Sequence, residues 1–281
     1  MVGHQFGYAK LDQPGVLQYL FHPRKESDST PPPGAIDHDI RVEDGIRVGA
    51  RFHVAGTTAP NVLFFHGNGE IVTDYDSIGP MYNEHGLSLL AVDYRGYGKS
   101  GGTPTVSSMM RDAHVIFKEI RNWLKNENRT GPLVVMGRSL GSACALELAA
   151  SYEKDVSGLI IDSGFAHTVP LLNCLGVDTQ ALGITEMDGI KNIQKISQFI
   201  KPTLIIHAQY DQFIPVMSAE ILQVQCPARS KEFRMVPGAD HNTILVQTGK
   251  LYFEIIKRFT NKIEGKREKR SFRRKRKVAK H

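Results

Sequence analysis

Apolar residues along this chain gather into short runs, separated by longer stretches in which they recur every three or four positions. Residues 61–65 read NVLFF, the continuous apolar pattern of a strand covered on both faces. Residues 87–92, 133–136, 159–161, 203–206 and 231–236 repeat the signal, and 16–21 and 37–54 read as opening strands. A 27–34 turn containing Pro31, Pro32 and Pro33 separates those two. Between the runs, 106–125 carries Ile116, Ile120, Trp123 and Leu124 at near-helical spacing, and 140–152, 217–224 and 242–260 also read as helices. Strands alternating with helices predict βαβ units and a doubly wound, mostly parallel sheet in one domain. Ligands of such sheets bind beyond the carboxyl ends of the strands, so the chemistry is sought where strands end.

The length of 281 residues and the 41% hydrophobic content suit a self-supporting core. A domain of this size buries roughly 75% of its unfolded surface. Cys144, Cys174 and Cys226 share no C-x-x-C spacing, so neither a disulfide framework nor a zinc cluster is expected. No uncharged apolar run approaches the roughly 18 residues of a spanning helix. The first ten residues lack a basic segment followed by an apolar one, and a cytoplasmic location is the expectation. Charge is unevenly spread. Residues 262–281 hold eleven Lys or Arg against Glu264 and Glu268, so this tail carries +9 of a chain whose formal total is +6, leaving the body at −3. The expected organisation is a catalytic-type domain over 1–261 and a basic, disordered tail over 262–281. Such runs often serve as interaction tails, here toward nucleic acid or an anionic membrane, with Arg273 to Lys277 the densest block.

The apolar run at 133–136 leads directly into Gly137-Arg138-Ser139-Leu140-Gly141 and then an alanine-rich helix. This is G-x-S-x-G in the strand–turn–helix setting of a nucleophile elbow. There the serine takes a strained backbone conformation, and the flanking glycines let strand and helix approach. The following helix start directs unpaired N–H groups at developing negative charge. A serine hydroxyl is a weak nucleophile until a base takes its proton. At such an elbow the partners follow in the order Ser, Asp or Glu, His. Of the histidines after Ser139, His281 ends the tail and His167 and His207 precede the best acid, which leaves His241 in the turn between the last strand and last helix. Asp211, in the loop after 203–207, is the preferred acid; Asp162 at the end of the preceding strand and Asp240 beside His241 are its rivals. His66-Gly67-Asn68-Gly69 follows the 61–65 strand. A backbone N–H of that turn, taken as that of Asn68, and the N–H of Leu140 are the candidate oxyanion donors. His66 reads as a structural hydrogen-bonding residue.

Taken together, H-G-N-G, D-Y-R-G-Y-G-K-S (93–100), G-R-S-L-G, Y-D-Q-F-I-P and G-A-D-H-N resemble the serine α/β-hydrolases. The likeness is greatest to the small branch holding the budding-emergence-type hydrolases and the abhydrolase-domain depalmitoylases, and it spans residues 16–259. It implies an α/β-hydrolase fold of about eight strands with helices on both faces. It also implies Ser139 as nucleophile, Asp211 as acid, His241 as base, and Asn68 and Leu140 as oxyanion donors. The 93–100 motif would be a structural loop, which leaves Arg95 outside the catalytic set. A lid is implied between the strands ending at Asp162 and starting at Pro202; its 39 residues (163–201) are too few for a large cap. Leu171, Leu172, Leu175, Val177, Leu182 and Ile184 either line an acyl pocket or pack the lid onto the body. Relatives with a membrane helix or cysteine-rich lipidation segment differ from this chain, and protein depalmitoylation is only weakly supported.

The expected activity is hydrolysis of a small acyl ester or thioester through a covalent acyl-enzyme, without metal or organic cofactor. Amide or peptide cleavage by the same residues is the enzymatic alternative. A catalytically silent binding scaffold is the alternative of another class.

Overall fold

The computed structural model describes residues 7–26 and 29–266. The Arg273 to Lys277 block and most of the basic tail lie outside the described residues, as do Ser27 and Asp28 of the proline-containing turn.

Eight strands form one sheet: β1 (Ala35–Glu43), β2 (Ile46–His53), β3 (Asn61–Phe65), β4 (Ser88–Val92), β5 (Leu133–Arg138), β6 (Gly158–Asp162), β7 (Thr203–Ala208) and β8 (Lys231–Val236). Their spatial order is β1-β2-β4-β3-β5-β6-β7-β8. The β1–β2 and β2–β4 pairs are antiparallel, and every pair from β4 to β8 is parallel. The chain moves from β3 outward to β4 and then returns to place β5 on the other side of β3. That reversal opens a crevice at the carboxyl ends of β3 and β5.

The helices are α1 (Pro14–Leu20), α2 (Gly79–Glu84), α3 (Val106–Asn126), α4 (Ser142–Ser151), α5 (Thr168–Cys174), α6 (Asn192–Ile196), α7 (Met217–Gln225), α8 (Ile244–Thr248) and α9 (Lys250–Ile263). The central strands are buried along their length, β5 as far as Gly137, and alternate between two cores. Leu63, Phe65 and Val135 point into a core shared with α3, α4 and the lid. Val62, Phe64, Val134 and Met136 point into one shared with α2 and α9. The helices thus cover both faces, as a parallel sheet requires. No helix among the described residues is long and apolar enough to cross a membrane.

Three expectations change. Residues 16–20 are helical and only Phe21 is extended: Pro14 occupies the first helical turn of α1, and Val16 and Leu20, four apart, supply the buried face. The 37–54 run is a hairpin, turning between Glu43 and Ile46 at Gly45, whose φ is 75°. The expected 242–260 helix is two helices, broken at Gly249 with φ 51°. In the lid, Leu172, Val177 and Ile184 are buried in the body and Leu182 packs against it, whereas Leu171 and Leu175 line a cleft.

Candidate active site

Ser139 follows β5 with φ 51°, a left-handed conformation that a side chain rarely adopts. The flanking glycines are what the surrounding backbone permits. A Cβ on Gly137 would lie 2.2 Å from the Gly141 carbonyl oxygen, and one on Gly141 would lie 2.1 Å from that of Phe65. The chain then makes a single 3-10 turn, Ser139–Gly141, before α4. Leu140 sits in that first turn, where N–H groups have no helical acceptor.

His241 is delivered by the turn after β8. Its Nε2 is 3.0 Å from Ser139 Oγ, and its Nδ1 is 2.6 Å from Asp211 Oδ2. Asp211 is fixed in turn: its Oδ1 accepts the N–H groups of Phe213 (3.0 Å) and Ile214 (2.8 Å). Phe213 also sets its ring edge against the His241 imidazole at 5.4 Å. The rival acids are engaged elsewhere. Asp162 accepts from Tyr252 Oη at 2.6 Å and Ser163 Oγ at 3.2 Å, and its burial raises its pKa. Asp240 accepts the Asn242 N–H at 2.9 Å and the Thr243 hydroxyl at 2.9 Å, so it shapes the turn rather than the imidazole.

On the other flank, Asn68 Oδ1 accepts the His22 N–H at 2.8 Å and the Tyr97 hydroxyl at 2.7 Å. This anchors the glycine turn by a side chain and leaves the Asn68 N–H without a partner among the described residues. His66 is buried beneath it, with Nδ1 2.8 Å from the Gly67 carbonyl and Nε2 3.1 Å from Asp93 Oδ1. Burial opposes charge on this imidazole, but Asp93 outweighs it and raises the pKa. Arg95 forks onto Asp112 of α3 at 2.6 and 2.8 Å, away from the cleft.

Four of the five candidates, Asn68, Ser139, Leu140 and His241, line one cleft of about 450 Å³, with Asp211 behind the imidazole. Leu20, Leu171, Leu175 and Phe213 form its apolar wall; His22 and an Arg24–Asp74 ion pair edge it with polar groups. A serine whose proton faces a carboxylate-oriented imidazole, beside uncommitted N–H groups, has the parts for acyl transfer.

The sequence reading missed Arg138 and Glu70. Arg138 donates from Nη2 to the His241 carbonyl at 2.8 Å and Asn242 Oδ1 at 3.1 Å, and its Nη1 pairs with Glu70. Glu70 also accepts the Gly67 N–H and the Tyr75 hydroxyl, each at 2.7 Å. Arg138 lies within the G-x-S-x-G motif and Glu70 adjoins H-G-N-G, but nothing in the spacing tells that they meet. Asp93 and Tyr97 both lie in the 93–100 motif, and their bonds to His66 and Asn68 give that loop a part in the site.

Residues 56–175 match the family model described as serine aminopeptidase, S33. Human alpha/beta hydrolase domain-containing protein 17B is 30% identical over 231 residues, covering 79% of this chain and 73% of its own. Protein bem46 of Schizosaccharomyces pombe is 26% identical, covering 71% and 67%. In three dimensions the chain is similar to an esterase of Pyrococcus furiosus, with a TM-score of 0.68, 17% identity, and coverage of 85% of this chain and 98% of that one.

Proposed function

The chain belongs to the α/β-hydrolase family, and on that premise we propose that it is a serine hydrolase of carboxylic esters or thioesters. The Ser139–His241–Asp211 chain of hydrogen bonds, opening onto a partly apolar cleft, carries this reading. In the acylation step His241 Nε2 takes the Ser139 proton as Oγ attacks the substrate carbonyl carbon. Asp211 holds Nδ1–H and stabilises the imidazolium. The N–H groups of Asn68 and Leu140 receive the developing oxyanion; one such donor is worth about 2.7–4 kcal/mol. The imidazolium then protonates the departing alcohol or thiol, and in the second half His241 activates water against the acyl-enzyme. Leu171, Leu175 and Phe213 accept the acyl chain, while the polar edge meets the leaving group.

Hydrolysis of p-nitrophenyl esters of increasing acyl length tests this, with Ser139→Ala as control. Serine-dependent turnover with a chain-length optimum is expected. Absence of turnover at every length would point to the silent scaffold. The same residues serve amide cleavage, a second reading that the serine aminopeptidase family match favours. Turnover of aminoacyl p-nitroanilides in preference to the esters would select it. The basic tail we assign to anionic surfaces, and binding to acidic vesicles or RNA that survives deletion of 262–281 would remove that assignment.

A further inference from the structure

The Arg138–Glu70 ion pair stands where the elbow, the glycine turn and the histidine loop meet. Arg138 is covalently next to Ser139. Its guanidinium holds the backbone of the histidine loop through the His241 carbonyl at 2.8 Å. Glu70, three residues beyond Gly67, holds the glycine turn through the Gly67 N–H at 2.7 Å and is braced by Tyr75 Oη at 2.7 Å. The pair packs so tightly over that turn that a Cβ on Gly67 would lie 2.7 Å from Arg138 Nη1 and 3.1 Å from Glu70 Oε2. A side chain at Gly67 would therefore displace the guanidinium from this arrangement. Both side chains are mostly buried, at 17% and 23% exposure, where a charge-assisted, multiply bonded pair is held more rigidly than a surface one.

We infer that Arg138 and Glu70 are positioning residues that set the distance between the oxyanion turn and His241 on either side of Ser139. Neither touches the reacting atoms. Each acts through backbone: Glu70 through the peptide preceding the Asn68 N–H, Arg138 through the carbonyl of His241. A hydrophobic side chain of similar size would fill the space but leave both loops unregistered. The fork also explains why arginine suits the position, since a lysine ammonium is a point charge on a flexible stem. A cavity of about 320 Å³ borders the same two residues, with Asp162 and Tyr252 in its lining. Solvent can therefore reach a partner left behind by substitution, and the variants should fold.

This inference rests on the serine-hydrolase reading, and the experiment separates the two. Kinetics of a p-nitrophenyl ester are measured for the wild type, Arg138→Met, Arg138→Lys, Glu70→Gln and the Arg138→Met/Glu70→Gln double variant, with thermal unfolding of each. A trifluoromethyl ketone serves as the transition-state analogue. A wild type without serine-dependent turnover ends the serine-hydrolase reading itself. With an active wild type, Arg138→Met and Glu70→Gln are each expected to lose about 30- to 100-fold in kcat, the scale of an ångström's misplacement, with KM held within about threefold. Ketone affinity should fall in step with kcat/KM, and Arg138→Lys should stay at least about tenfold below wild type. The double variant should be no worse than the weaker single, as for groups acting as a unit. A kcat within about threefold of wild type in folded Arg138→Met would overturn the inference, as would additive losses in the double variant or a loss confined to KM.

Discussion

Helix α4 separates two buried networks built from similar groups. At its entrance Asp211, His241 and Ser139 form a chain of hydrogen bonds that ends on a cleft. In its middle, Glu147 pairs with Lys195 of α6 at 2.8 Å and with His114 of α3 at 3.1 Å. Burial would raise the Glu147 pKa, but His114 and Lys195 hold it down to about 2, while burial lowers that of Lys195. The second network thus holds a carboxylate kept well below its ordinary pKa. Lys195 is 1% exposed, and its ammonium also meets Tyr8 Oη at 3.3 Å. The first network ends on a hydroxyl that a substrate can reach. Perturbed protonation marks burial as readily as function; access and an uncommitted reactive atom tell the two apart.

The contrast breaks most sharply at Ser139. Ser139→Ala should lower kcat about 10⁶-fold, by analogy with other serine triads, with little change in urea midpoint; retained turnover in rigorously purified protein would remove the distinction. Asp211→Asn should lower kcat about 10⁴-fold. Asp162→Asn, which touches Tyr252 and Ser163 instead of His241, should lower it less than about tenfold, and a reversal of the two would move the acid to β6. Lys195→Met addresses the second network and should cost about 3–5 kcal/mol in urea unfolding by removing the ammonium from the buried Glu147 carboxylate, while kcat of the folded fraction stays within about threefold. Smallest is an effect of pH. The folded pKa of Glu147 lies below its ordinary 4.5, so its contribution to stability is full above about 4.5 and is lost as pH falls toward 2. Melting temperature should decline over that range, less steeply in Glu147→Gln, and identical slopes would contradict the assignment.

Much of this was legible in the chain, for local reasons. Continuous apolar runs located the five strands from β3 to β7, because strands buried on both faces leave that trace, whereas β8, buried only at Val236, is read from the mixed run 231–236. G-x-S-x-G announced the elbow because steric approach within one turn demands both glycines. The misreading of 16–21 shows the limit of short runs: six residues cannot separate a period of 2 from one of 3.6, and Pro14 was the overlooked helix start. Gly249 was visible, but a glycine within a helical pattern is often tolerated, and only its positive φ reveals the break. The Arg138–Glu70 pair was not legible at all, since it joins residues 68 apart through a contact that the sheet order creates.

In the proposed mechanism Ser139 Oγ is the nucleophile that forms the covalent intermediate. Reaction of the intact protein with a fluorophosphonate, followed by mass spectrometry of its peptides, tests it most directly. One phosphonyl adduct is expected, on Ser139, lost in Ser139→Ala and formed far more slowly in Asp211→Asn. An unmodified protein, or an adduct on any other residue, would contradict it.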